Sequence, residues 1–148
     1  MFLYIVYLTS TFSIYKFGGS SFVSAQSFSI FNSNSVYKEI SYTADGSVVI
    51  VGDYLNKAAY IFDYDSGSGR YILTVTISDG SNYSPLLCGI REDKKYISIP
   101  TFNQPTLFLN SSYQQIATTT VTAVGTYFSY DGSIWLLLGG DSKLHVYT

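Results

Sequence analysis

Asp53 and Asp141 are the two carboxylates whose setting repeats. Each follows an apolar run and a glycine, in Val48-Val49-Ile50-Val51-Gly52-Asp53 and in Leu136-Leu137-Leu138-Gly139-Gly140-Asp141. If the runs are equivalent strands, the two carboxylates lie in corresponding loops on one rim, where a pair can divide general acid and base work. The same repetition arises when Asp closes a turn, because its side chain bonds to its own backbone. Asp63 and Asp65 with Gly67 and Gly69 begin like a calcium loop. Such a loop closes on a bidentate carboxylate at its twelfth position, where Thr74 stands. His145, the one histidine, falls mid-strand between Leu144 and Val146, with no second histidine to build a metal site around. Cys88, the one cysteine, lies in Leu86-Leu87-Cys88-Gly89-Ile90 and reads as a small buried hydrophobe. Gly18-Gly19 and Gly67 to Gly69 precede no helix, so neither has a helix N-terminus on which to hold a phosphate. No cofactor and no metal are expected.

Tyrosine offers contact without reaction. Tyr54, Tyr83, Tyr113 and Tyr130 fall near turns, and loop tyrosines on a rigid scaffold make good interface anchors. Asn103 and Gln104, in the loop between Pro100 and Pro105, add hydrogen-bonding groups. These six, with Asp53 and Asp141, are the expected binding residues. Tyr4, Tyr7, Tyr15, Tyr37, Tyr42 and Tyr60 lie in strands instead, where a ring packs and its hydroxyl reaches a polar edge. The single charge cluster, Arg91-Glu92-Asp93-Lys94-Lys95, reads as a solvated turn.

The elements that must position these groups are strands. A chain of 148 residues makes one domain. Only 12% of it is charged, against roughly 25% in an average soluble domain, so its surface is built largely from Ser, Thr, Tyr, Asn and Gln. A net charge of -2 and a pI near 5.1 leave no basic face for a nucleic-acid backbone. No apolar stretch reaches the roughly 18 residues of a membrane span. The opening MFLYIVYLTSTFSIYKF lacks a basic start and a cleavage pattern, and reads as strand and not as a signal peptide.

Apolar runs rich in β-branched and aromatic residues alternate with Gly, Asn, Asp and Ser clusters from end to end. The expected strands are 2–8, 12–17 and 22–31, then 36–42, 47–51, 58–62 and 71–77. After these come 85–90, 96–99, 106–109 and 115–123, and finally 125–129, 133–138 and 143–147. No segment shows a period of 3.6 residues, so helix should be scarce. The turn aspartates Asp45, Asp93 and Asp131 are separated by 48 and 38 residues, a period of about 40 to 45 residues with four short strands in each, which is that of a β-propeller blade.

Asp45-Gly46-Ser47, a β-branched strand, Gly52-Asp53 and then Ala59-Tyr60-Ile61-Phe62 match Asp131-Gly132-Ser133 through Leu144-His145-Val146-Tyr147. This pattern resembles the second and third strands of WD-repeat and FG-GAP-type propeller blades. Phe62-Asp63 and Val146-Tyr147 stand where a WD blade has Trp-Asp, and the sequence carries neither the Gly-His dipeptide nor the regular FG-GAP calcium loop. The resemblance implies an all-β fold of consecutive four-stranded antiparallel blades and a surface that binds other proteins.

Blade units fall at about 2–31, 36–77, 85–123 and 125–148, with the first lacking its first strand and the last its fourth. That is about three and a half blades, fewer than the four to eight that close a ring. An open arc that exposes apolar faces and sheet edges is expected, and with it self-association. The functional expectation is a non-catalytic protein-interaction or scaffold module. The rival expectations are an extracellular carbohydrate-binding or adhesion module and a fragment of a propeller hydrolase.

Overall fold

A computed structural model of the chain describes residues 2–6, 11–29, 38–78, 87–101 and 104–148. Among these residues there is no helix. The strands are β1 (Phe2–Val6), β2 (Thr11–Phe17), β3 (Phe22–Ser29), β4 (Lys38–Tyr42), β5 (Val48–Asp53), β6 (Ala58–Asp65) and β7 (Arg70–Ser78). They continue as β8 (Gly89–Ile90), β9 (Ile97–Ile99), β10 (Pro105–Leu109), β11 (Gln115–Phe128), β12 (Trp135–Gly139) and β13 (Leu144–Tyr147). Within the sheets, ordered β1-β2-β3, β4-β5-β6-β7 and β8-β9-β10-β11-β12-β13, pairing is antiparallel and consecutive, and an isolated parallel bridge joins Leu87 to Gly125.

The sheets pack face to face through apolar residues of their middle strands, and β5 is apolar on both sides. In β5, Val48 and Ile50 alternate with Val49 and Val51, as a period of two requires, and all four are 0% exposed. Val48 and Ile50, with Ala59 and Ile61, pack on Ile97, Ile99, Leu107 and Leu109. Val49 and Val51, with Phe62, pack on Phe12 and Ile14 on the other side. Each such side chain contributes roughly 1.5–3 kcal/mol when fully buried. A third cluster sets Trp135 and Leu137 of β12 against Phe108 of β10.

Strands therefore line up in files across the sheets. β1, β4, β8 and the second part of β11 run side by side as the innermost file. The second file is β2, β5, β9 and β12, and the third is β3, β6, β10 and β13. This corrects the expected strand count in two places. β1 belongs to the innermost file, so the first sheet begins with its first strand, and what the described residues do not add to it is a fourth. Expected strands 115–123 and 125–129 are a single strand, β11, whose early residues pair with β10 and whose late residues pair with β12. A bulge at Val124 lets one continuous backbone pass from one partner to the other.

Candidate functional site

Antiparallel order sends the turns to two opposite rims. The turns at 43–47, 91–96 and 129–134, which leave the innermost file, share one rim with those at 65–69 and 110–114. The turns at 54–57 and 140–143 share the other, as do Pro100 just after β9 and Gln104 just before β10. Tyr113 and Tyr130 thus lie on the first rim, and Asp53, Tyr54, Gln104 and Asp141 on the second. Tyr83 and Asn103 lie outside the described residues.

Most of the candidate carboxylates are engaged by their own turns. Asp53 is buried and accepts hydrogen bonds from Asn56, through its amide at 3.1 Å and its side-chain Nδ2 at 2.6 Å. Asp141 accepts the Lys143 amide at 3.2 Å and meets His145 Nε2 at 3.2 Å. That contact with His145 holds its carboxyl below the usual range. The β8–β10 strands stand between β5, which ends in Asp53, and the β12–β13 hairpin that carries Asp141, so the two carboxylates are not brought together. Asp65 accepts the Gly67 and Ser68 amides, each at 3.1 Å, whereas Asp63 takes the Tyr113 hydroxyl from the adjacent sheet.

The first rim is regular. Asp45, Asp93 and Asp131 each accept the amide two residues on, from Ser47 at 2.9 Å, Lys95 at 3.0 Å and Ser133 at 3.0 Å. Bonds from the Ser47 and Ser129 hydroxyls are the largest causes that lower Asp45 and Asp131 to about 2. Gly46 and Gly132 carry the left-handed backbone these turns need, and Lys94 adopts it at the matching position with φ 58°. The charge cluster ties neighbours together: Glu92 Oε2 accepts the Ala44 amide at 2.8 Å, while Arg91 pairs with Asp93 at 3.2 Å and lies against Gly132.

Tyr113 is half-buried. Its ring packs on the cluster between β5–β6 and β9–β10 and its hydroxyl donates to Asp63, and burial first, then that carboxylate, push its ionisation well up. Tyr130, by contrast, is 82% exposed. On the same rim, where the turns at 91–96, 110–114 and 129–134 meet their strands, is a hollow of about 320 Å³ lined by Tyr96, Phe108, Ile116, Ala117, Phe128 and Trp135. This aromatic hollow is the feature that residue-by-residue reading missed. Its available signal was the pair Phe128 and Trp135, which flank the Asp131 turn and are brought opposite each other by the pairing of β11 with β12. A second notch, of about 250 Å³, opens on the innermost file between Ser41, Cys88, Glu92 and Thr126. Cys88 there is buried, which raises its thiol to about 12.

A crystal structure of the β-propeller domain of Myceliophteria thermophila Cps50 (Swd1) is similar over 95% of this chain, with a TM-score of 0.72 at 10% identity. The fold is that of a β-propeller. This chain spans 48% of that one, and its sheets form a partial, open arc of blades. No family model and no curated protein matches the sequence. The files described above are the successive strands of the blades, counted outward from the propeller axis, and the two rims are the two ends of the propeller.

Proposed function

We propose that the chain is a non-catalytic protein-interaction module that receives a partner on the rim carrying Tyr130. The observation that supports this reading is the hollow on that rim, lined by four aromatic side chains and two aliphatic ones. Such a hollow accepts an apolar side chain of a partner, and an exposed tyrosine on the same rim adds an anchor. The turn carboxylates, each bonded to its own backbone, support a structural role for the acids over a catalytic one. Under this reading the chain works as a single domain with blades at about 2–31, 36–77, 85–123 and 125–148.

The test is affinity capture with quantitative mass spectrometry, comparing the native chain with Ile116→Asp and Tyr130→Ala. Ile116 is 49% exposed, so both changes alter the rim without opening the core. A protein recovered by the native chain and depleted about tenfold or more by both variants is the expected result. Equal recovery by all three chains overturns the assignment to this rim. Binding on a glycan array with no protein captured replaces it by the carbohydrate-binding reading. Turnover of a glycoside or lactone that Asp53→Ala and Asp141→Ala abolish replaces it by the hydrolase reading.

A further inference from the structure

The aromatic hollow on the Tyr130 rim holds one polar group without a partner. Trp135, the single tryptophan of the chain, lines the hollow and is 9% exposed. Its indole Nε1 is buried and finds no hydrogen-bond acceptor among the described residues. A buried donor left unpaired is destabilising, so a fold that keeps one calls for a reason. The neighbouring rings orient the indole. Register sets Phe128 of β11 and Tyr147 of β13 opposite Trp135, one on each side, with their planes tilted 28° and 31° from its own. With a near-parallel ring on either side, the indole presents an edge to the preceding blade. There Phe108 meets it at 73° and 4.6 Å between ring centroids, and Tyr96, Ile116 and Ala117 complete the hollow.

The polar groups on offer are one-sided. Of the lining side chains only Trp135 and Tyr96 carry a polar atom, an indole N–H and a phenol hydroxyl, and none is charged. A water seated there would lack the roughly two to four polar partners it needs. A carboxylate would lose its hydration against aromatic rings with no cation to pair with. A sugar would leave most of its hydroxyls unpaired, and an extended strand would bring backbone N–H groups with no acceptor to take them. A proline-rich segment differs on every count. Its rings are apolar, its residues lack the backbone N–H, and in a polyproline II helix its carbonyls make no internal hydrogen bond. It brings acceptors and no donors to a hollow whose buried donor is unpaired.

We propose that the hollow binds a proline-rich segment of the partner in the polyproline II conformation, with prolyl rings against Tyr96 and Phe108 and a prolyl carbonyl accepting the Trp135 indole N–H. This names the partner chemistry of the rim site proposed above and rests on that reading. The probe is fluorescein-labelled decaproline titrated into the full chain and read by anisotropy, while proton–nitrogen NMR follows the one indole N–H resonance. That resonance should move downfield in step with saturation, because a hydrogen bond deshields the proton. Trp135→Phe, which keeps an aromatic ring and deletes the donor, should weaken binding about threefold to tenfold. Ile116→Asp should weaken it about tenfold or more, and Leu55→Asp, at an exposed turn on the opposite rim, should leave it unchanged. No saturable binding up to about 1 mM decaproline, an indole resonance that stays in place at saturation, or equal affinity in Trp135→Phe overturns this inference. The rim reading itself survives that failure if Ile116→Asp and Tyr130→Ala still deplete a captured protein, and falls with it if they do not. An indole resonance moved by cellohexaose and not by decaproline overturns the inference in favour of the carbohydrate-binding reading.

Discussion

Asp45 and Asp131 show what the acidic side chains of this protein do. Both carboxyls are lowered from 3.8 to about 2, chiefly by serine hydroxyls of their own turns. A carboxyl held lower in the folded than in the unfolded chain stabilises the fold fully above the unfolded value near 4, and that contribution shrinks as pH falls toward the folded value near 2. Both groups are exposed, so the effect is modest. Urea midpoints measured from pH 6 down to pH 2 should fall most steeply below about pH 4. The double substitution Asp45→Asn and Asp131→Asn, which keeps a side-chain oxygen for each turn, should flatten that fall. An unchanged slope would place the acid sensitivity elsewhere. Cys88 makes the complementary case: with its thiol raised to about 12 by burial, it should resist a thiol reagent at pH 8 in the folded chain and react at once in urea. The turn roles of Asp45, Asp93 and Asp131, and the burial of Cys88, were legible in the sequence, because a turn acid and an apolar neighbourhood are local properties. The bond of Tyr113 to Asp63 was not, since it joins residues fifty apart in sequence that only blade packing brings together.

At the level of the strand, Gly89 in β8 is closely hemmed in by two neighbouring strands. A Cβ built there would stand 2.4 Å from Thr126 Oγ1 and 2.6 Å from Ser98 Oγ. These two hydroxyls bond to each other across the join between β9 and β11. β8 has only two residues, and β11 bonds directly to its approach, where the Thr126 amide donates to the Leu87 carbonyl at 2.9 Å. Gly89→Ala must therefore displace a strand or break the hydroxyl pair, and a loss of about 2 kcal/mol is expected in chemical denaturation. A loss within about 0.5 kcal/mol would show that the innermost file yields easily. Neither the close approach at Gly89 nor the continuity of β11 could be read from the sequence. The middle strands could, because Val48 to Val51 is apolar at every position and a strand of that kind is covered on both faces. Chain-order pairing followed from short turns between them. The break expected between residues 123 and 125 is instead a bulge next to Gly125. In the fold that glycine lets β11 pass close to Leu87, whose side chain lies 3.1 Å from where a Cβ would stand.

Across the whole arc, each blade touches only its neighbours, so stability is the sum of blade and junction terms and need not be uniform. The second blade is covered on both faces, with Val48, Val49, Ile50 and Val51 all 0% exposed, whereas the last is covered on one. Native-state hydrogen exchange should resolve this difference. Amides of β5 and β6 should exchange only through global unfolding, and those of β12 and β13 at least about tenfold faster, through opening of the last blade alone. Substitutions then act locally or globally according to position. Ile50→Ala, with an expected loss of about 2–5 kcal/mol, should lower protection in every strand, because it weakens a junction on which both halves of the arc depend. Leu137→Ala removes a comparable buried side chain, yet it should accelerate exchange only in β12, β13 and the end of β11 that pairs with them. If both substitutions lowered protection equally in all strands, the arc would unfold as one cooperative unit, and the neighbour-only packing described here would have to give way to coupling across the whole chain.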